Sequence, residues 1–148
     1  MKKIRKAIRT FLIKDNKVIA IRYKTEKNYN YYDIPGGKIE ENETSEDASI
    51  REFKEETGMI INNQKYKGNV IIEYPHMIFD FDIYVVEGYE EEPIETDENY
   101  SMWIDIEELK NKKEVFPSIE ILNYLGKNSI NLKIISDEKH NILNIENM

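Results

Sequence analysis

The chain has 148 residues, a formal net charge of −8 and a pI of about 4.9, a length that suits one domain over residues 1–148 with a sizeable core. That acidity argues against non-specific binding to nucleic-acid polymers, which needs a basic footprint. The absence of cysteine excludes disulfides, thiol nucleophiles and cysteine metal sites.

Ile4 to Lys14 and Lys17 to Thr25 read as two strands joined at the turn-forming pair Asp15-Asn16. Val18, Ile19, Ala20 and Ile21 are apolar on both faces, the mark of a covered strand. Glu26 to Asp33 is a polar, tyrosine-rich loop. Asn28, Tyr29, Asn30, Tyr31 and Tyr32 either meet a base or half-pack on the domain surface, since such rings serve both roles. Ile34-Pro35-Gly36-Gly37 follows, and the two glycines let backbone approach a ligand closely and turn sharply.

Thr44 with Asp47 predicts a helix start near Ser45, and Gly58 can take the left-handed conformation that ends it. At 100° per residue, Glu52, Glu55 and Glu56 share one face, and Ile50, Phe53 and Thr57 the other. Like charges at spacings of three and four cost about 0.2–0.5 kcal/mol per pair. A position near the negative end of the helix dipole adds at most about 0.3–1 kcal/mol each. Stability alone does not favour that face. It suits a hard cation such as Mg2+ or Mn2+, which takes oxygen ligands and neutralises the charge. The bland alternative is a solvated acidic face with Arg51 supporting Glu55.

Further along, Tyr66 to Tyr74 and Met77 to Glu87 predict two strands linked near Pro75-His76. Phe79, Phe81, Ile83 and Val85 alternate with Asp80, Asp82 and Tyr84, a half-buried pattern. Glu90 to Pro93 is an acidic loop. Trp103-Ile104 suggests a short strand, Ile106 to Lys110 a turn or two of helix, and Pro117 to Leu125 a helix opened by proline. Ile130 to Ser136 and Ile142 to Glu146 complete a hairpin around Asp137 to Asn141. His76 and His140 fall in predicted turns and are expected to be exposed, so no Ser-His-Asp arrangement is expected. No stretch is long enough to cross a membrane, and Phe11-Leu12-Ile13 behind the basic Met1–Lys6 is too short for a signal peptide. The expected location is the cytoplasm.

Gly37, Glu43, Arg51, Glu52, Glu55, Glu56 and Gly58, with Phe53 and Met59 apolar, fill every fixed position of a known pattern. From this chain's own residue frequencies, chance produces it with a probability of about 10^-6. The stretch resembles the Nudix box of the MutT-type hydrolases. The resemblance implies an α/β fold, an α/β/α sandwich around a central mixed β-sheet, and metal-dependent hydrolysis of a nucleoside diphosphate linked to another moiety by water attack at phosphorus. It implies Mg2+, with Mn2+ possible, held by Glu52, Glu55, Glu56 and the Gly36 carbonyl. Arg51 orients one glutamate and Glu43 supports from behind. The base is Glu56 or a glutamate of a later loop.

Pro93 to Glu98 followed by Trp103 is similar to a loop of the mammalian 8-oxo-dGTP diphosphatase branch that supplies a further acidic ligand, and Glu98 is the matching residue. Phe116-Pro117 and the terminal hairpin add to that likeness. The chain departs from the branch at Asp33, where an asparagine reads the base, and at Asn111-Lys112, where a pair of aspartates is expected. Tyr23, Tyr32, Asp33 and Lys38 are the candidate substrate contacts. Asp33 either reads the base, as an acceptor suited to guanine N1–H and its amine or to the N6 amine of an adenine, or caps the turn before the glycines. The implied partner is a nucleotide, with no nucleic-acid polymer and no membrane, and the state a monomer or homodimer. Alternatives are a hydrolase of ADP-ribose or another nucleotide conjugate, a non-catalytic nucleotide-binding module of the same fold, and a plain interaction domain.

Overall fold

The computed structural model describes residues 1–25, 27, 29–112 and 117–148. Asn28 and Phe116, named above as a base contact and as part of a resemblance, lie outside them. The strands are β1 (Lys3–Phe11), β2 (Ile13–Lys14), β3 (Lys17–Tyr23), β4 (Tyr32–Asp33), β5 (Gly36–Lys38), β6 (Ile60–Glu73), β7 (Met77–Glu90), β8 (Asn99–Asp105), β9 (Ile130–Ser136) and β10 (Ile142–Asn147). Helix α1 (Ser45–Thr57) lies between β5 and β6; α2 (Ile106–Lys110) and a 3-10 helix (Pro117–Tyr124) follow β8.

A six-stranded sheet runs β10-β9-β6-β7-β1-β5. It is mixed: β1 pairs with β7, and β6 with β9, in parallel, and the other pairs are antiparallel. A second sheet forms around β3, which pairs with β2, β4 and β8. The expected β1–β3 hairpin is therefore divided between sheets. Asp15 and Asn16, both at positive φ (54° and 63°), turn β2 into β3 only, while β1 is held by β5 and β7 on its two edges.

Both faces of the mixed sheet are covered, as an α/β/α fold requires. On one face Ile8 and Tyr84 bury against Ala48 of α1, and Thr10 Oγ1 meets Ser49 Oγ at 2.6 Å. On the other, Ala7, Val70, Phe81 and Leu132 pack with Leu109 of α2 and Ile119 and Ile121 of the 3-10 helix. Tyr84, expected on a polar face, is buried and bonded to Ser45 because α1 covers it. The 3-10 helix replaces the expected α-helix after Pro117.

Helix α1 begins and ends as its residues dictate. Thr44 Oγ1 accepts from Asp47 N at 3.1 Å. Gly58, at φ 77°, donates its N–H to Lys54 O at 2.8 Å, a conformation that favours glycine. Phe53 and Met59 bury with Leu12, Ile19, Ile61 and Val86, each fully buried side chain stabilising the fold by about 1.5–3 kcal/mol. That anchoring turns the glutamates outward over β5. Among the described residues no helix is long and apolar enough to cross a membrane.

Candidate active site

Arg51 is the hub of the acidic face. Its Nε donates to Glu43 Oε2 at 2.7 Å and its NH2 to Glu43 Oε1 at 2.9 Å, a two-point grip. Its NH1 donates to Glu52 at 2.7 Å and to Glu55 at 3.3 Å, and its NH2 also reaches the Lys38 carbonyl at 3.2 Å. Glu43 further accepts from Glu40 N. The hydrogen bonds from Arg51, then that backbone bond, pull the Glu43 carboxyl down to about 2. Burial raises the Glu52 carboxyl, with the bond from Arg51 opposing it.

The glycine pair lets this helix sit directly on β5. A methyl at Gly37 would lie 2.6 Å from the Glu52 carboxyl carbon, and one at Gly36 would lie 2.1 Å from Ile8 O. Gly36 N donates to Glu56 Oε1 at 2.8 Å. Loss of water pushes the Glu56 carboxyl well above its usual range, with the Gly36 bond pulling the other way and Glu52 adding to the rise. Asn99 Nδ2 donates to Glu56 O at 2.7 Å and ties the loop before β8 to the helix end. Glutamate carboxylates and a glycine carbonyl are the hard oxygen donors that a divalent cation takes. Among the described residues, however, no three acidic or histidine side chains converge on one point. Arg51 draws Glu52 and Glu55 outward and Gly36 N draws Glu56 inward.

Next to the carboxylates, across Gly36, opens a cavity of about 460 Å³. Its floor is the sheet face carrying Arg9, Phe79 and Phe81; its walls include Tyr23, Asp33 and His140. Phe79 and Phe81 lie parallel, 5.6 Å apart, and the Arg9 guanidinium sits 4.5 Å above Phe81. Asp33 is buried, accepting from Ile34 N at 2.7 Å, from Arg9 NH2 at 3.3 Å and from Ser118 Oγ. Burial works against the Arg9 charge, but Asp33 and its neighbours outweigh it and raise its pKa. Burial, then Asp33, raises the Tyr23 hydroxyl.

The NUDIX domain pattern matches residues 3–125. The chain belongs to the NUDIX family. It is 36% identical over 76 residues to the oxidized purine nucleoside triphosphate hydrolase of Danio rerio, covering 50% of this chain and 49% of that one. Over 54 residues it is 43% identical to the ADP-ribose pyrophosphatase of Methanocaldococcus jannaschii, or 36% of this chain and 32% of that one. The chain thus spans about half the length of the first relative and a third of the second. The MutT protein of Bacillus halodurans shares the Nudix fold, with a TM-score of 0.80 over 96% of both chains at 17% identity.

Of the residues named from sequence, Glu43, Arg51, Glu52 and Glu55 form one bonded network, and Gly36 joins Glu56. Tyr23 and Asp33 line the adjoining cavity. Tyr32 points to the other side of β4, packing on the core with Lys112 Nζ 5.3 Å from its ring; neighbours along a strand face opposite ways. Tyr29 is exposed. Lys38 is exposed and meets the network through its carbonyl. Glu98 is exposed on the loop before β8, its carbonyl accepting from Lys24 N. Asn111 caps the C-terminal end of α2.

His140 departs from expectation. It is half-buried, lines the cavity and lies 3.0 Å from Tyr74 Oη through Nδ1; burial lowers its pKa. The terminal hairpin carries it back over β6, a long-range placement with no local signal. Arg9 lines the cavity too, and no local signal sets it apart from Lys3, Arg5 and Lys6 of the same strand.

Proposed function

We propose that this Nudix protein is a metal-dependent pyrophosphohydrolase of nucleotides. It hydrolyses a nucleoside triphosphate such as 8-oxo-dGTP, or another noncanonical one, to the monophosphate and pyrophosphate. The observation that carries this reading is the placement of Glu52 and Glu56 on Gly37 and Gly36 beside the Arg9–Asp33 cavity. Phosphates laid over the glycine pair put the base in the cavity.

The carboxylates of Glu52, Glu55 and Glu56, the Gly36 carbonyl and, from its loop, Glu98 are the oxygen donors that would hold Mg2+ or Mn2+. A bound ion would supply Lewis acidity at the phosphoryl oxygens and would acidify the attacking water. Glu56 takes the proton from that water as its oxygen bonds to phosphorus and the bridging phosphate oxygen leaves. Arg51, anchored by Glu43, fixes the direction of Glu52. Tyr23 and Asp33 wall the base, and Lys38 lies at the phosphate edge.

A second reading, hydrolysis of ADP-ribose or another nucleotide conjugate, is favoured by the identity to the archaeal pyrophosphatase. The deciding experiment offers purified protein nucleoside triphosphates including 8-oxo-dGTP, ADP-ribose, dinucleoside polyphosphates and capped RNA, with Mg2+ and with EDTA. Release of pyrophosphate from a triphosphate with Mg2+ only is the expected result, and Glu56→Gln should cut it by at least ~100-fold. Cleavage confined to ADP-ribose selects the second reading. Binding with no cleavage of any compound makes the protein a non-catalytic module.

A further inference from the structure

We infer that Arg9 reads the base as a hydrogen-bond donor to a 6-oxo purine, and that Asp33 acts through Arg9 rather than on the base. The inference rests on the reading above that the cavity takes the base of a nucleotide.

The hydrogen-bond inventory carries it. Asp33 is heavily committed: Oδ1 accepts from Ile34 N and Ser118 Oγ, and Oδ2 accepts from Arg9. Arg9 is in the opposite condition. A guanidinium has five N–H donors and no acceptor; here NH1 donates to Ile8 O at 3.0 Å and NH2 to Asp33. Arg9 Nε is buried and has no acceptor among the described residues. A buried donor left unmade is costly, so such a group finds a partner in the working state. At this wall Arg9 therefore keeps unmet donor capacity, while the Asp33 oxygens are engaged.

Arg9 is also rigidly presented. Its guanidinium lies 4.5 Å over Phe81, is tethered by Asp33 and sits above Gly36, where a methyl would come within 2.5 Å of NH1. Phe81 lies beneath it and Phe79, parallel to Phe81, lies beneath Arg5, so the cavity floor is aromatic and favours a flat ring. A planar fork of donors matches the O6 and N7 acceptors of guanine or hypoxanthine. Adenine offers the fork the N7 acceptor but sets a 6-amino donor where a 6-oxo purine has its second acceptor, so one of the two bonds is replaced by a donor facing a donor. Asp33 is a positioning residue: it sets the fork's direction.

Inosine and adenosine nucleotides differ only at the C6–N1 edge, so they form the test pair. The whole protein should hydrolyse ITP with a kcat/KM at least ~10-fold above ATP, the scale of one buried polar contact. Arg9→Met should bring that ratio toward one. Arg9→Lys should keep a reduced preference, since a cationic donor group remains without the planar fork and Asp33 keeps its partner. Asp33→Asn should shrink the ratio as the fork loses its anchor, which a merely structural role would not do. A wild-type ratio near one, or a ratio that survives Arg9→Met in a folded protein, overturns the assignment. Calorimetric binding of IMP against AMP in EDTA asks the same question without turnover. Equal affinities would refute Arg9 even if hydrolysis is observed, and a preference for IMP would support it even if no triphosphate is cleaved.

Discussion

Alanine at each of two adjacent glycines should separate stability from activity. At Gly36 the new methyl would meet Ile8 O at 2.1 Å and the Arg9 side chain at 2.5 and 2.9 Å. A carbon needs roughly 3.3 Å from a carbonyl oxygen, so β5 must move off β1 by about 1 Å. That disturbs the pairings Arg9↔Gly36 and Ile8↔Gly37 and the bond from Gly36 N to Glu56. Two or three bonds at about 0.5–1.5 kcal/mol each make a loss of about 1–4.5 kcal/mol, or roughly 2–18 °C in Tm for a domain of this size. At Gly37 the atoms in the way are the Glu52 carboxyl group at 2.6 to 2.9 Å, the free end of a flexible side chain. It can swing aside at about 0.5–1.5 kcal/mol, so Tm should change by only a few degrees, on the order set by that cost. The carboxylate is then displaced by about 1 Å from its working position, a misplacement that costs ~100-fold in rate. Thermal melts and pyrophosphate release, measured on both variants, check the pair. Gly37→Ala with kcat/KM near the parent's, or with a loss of Tm equal to that of Gly36→Ala, would refute the reasoning.

Three further outcomes are expected. The Glu43 carboxyl is held at about 2 against an ordinary 4.5, so its contribution to stability is whole above the ordinary value and lost as pH falls through about 2. Arg51→Gln should flatten that acid limb in urea titrations from pH 5 to 2, and an unchanged limb would contradict the pairing. Glu56 shifts the opposite way: the folded state holds the proton more tightly than the unfolded, so its contribution is full below the ordinary range and fades as pH rises through the folded value. Glu56→Gln should therefore be at least as stable as the parent at pH 7 by denaturant midpoint, and a clear loss would count against burial as the cause. Glu98→Ala should raise the Mg2+ concentration for half-maximal rate by ~10-fold or more if its loop closes on the ion; an unchanged Mg2+ titration would leave Glu98 a solvated acid.

Local chemistry was legible without the fold. Thr44, Asp47 and Gly58 mark the ends of α1 because capping uses only neighbouring backbone. The spacing of Glu52, Glu55 and Glu56 against Phe53 and Thr57 follows from helical periodicity, and the hairpin at Ile130–Ser136 and Ile142–Asn147 from alternation and its turn. Tertiary structure decided what depends on which strand lies beside which. Strand β1 leaves its hairpin partner because parallel pairing with β7 and the edge at β5 satisfy its backbone, and no local pattern encodes a neighbour 74 residues away, as Lys3 is from Met77. Tyr84 and Tyr32 are placed by what covers them, α1 in one case and the core in the other. The same holds for the cavity: Arg9, Asp33, Ser118 and His140 meet only after four distant segments converge. Burial then sets which of their donors and acceptors are committed and which remain for a ligand, since the cost of an unmade hydrogen bond exists only where water is excluded.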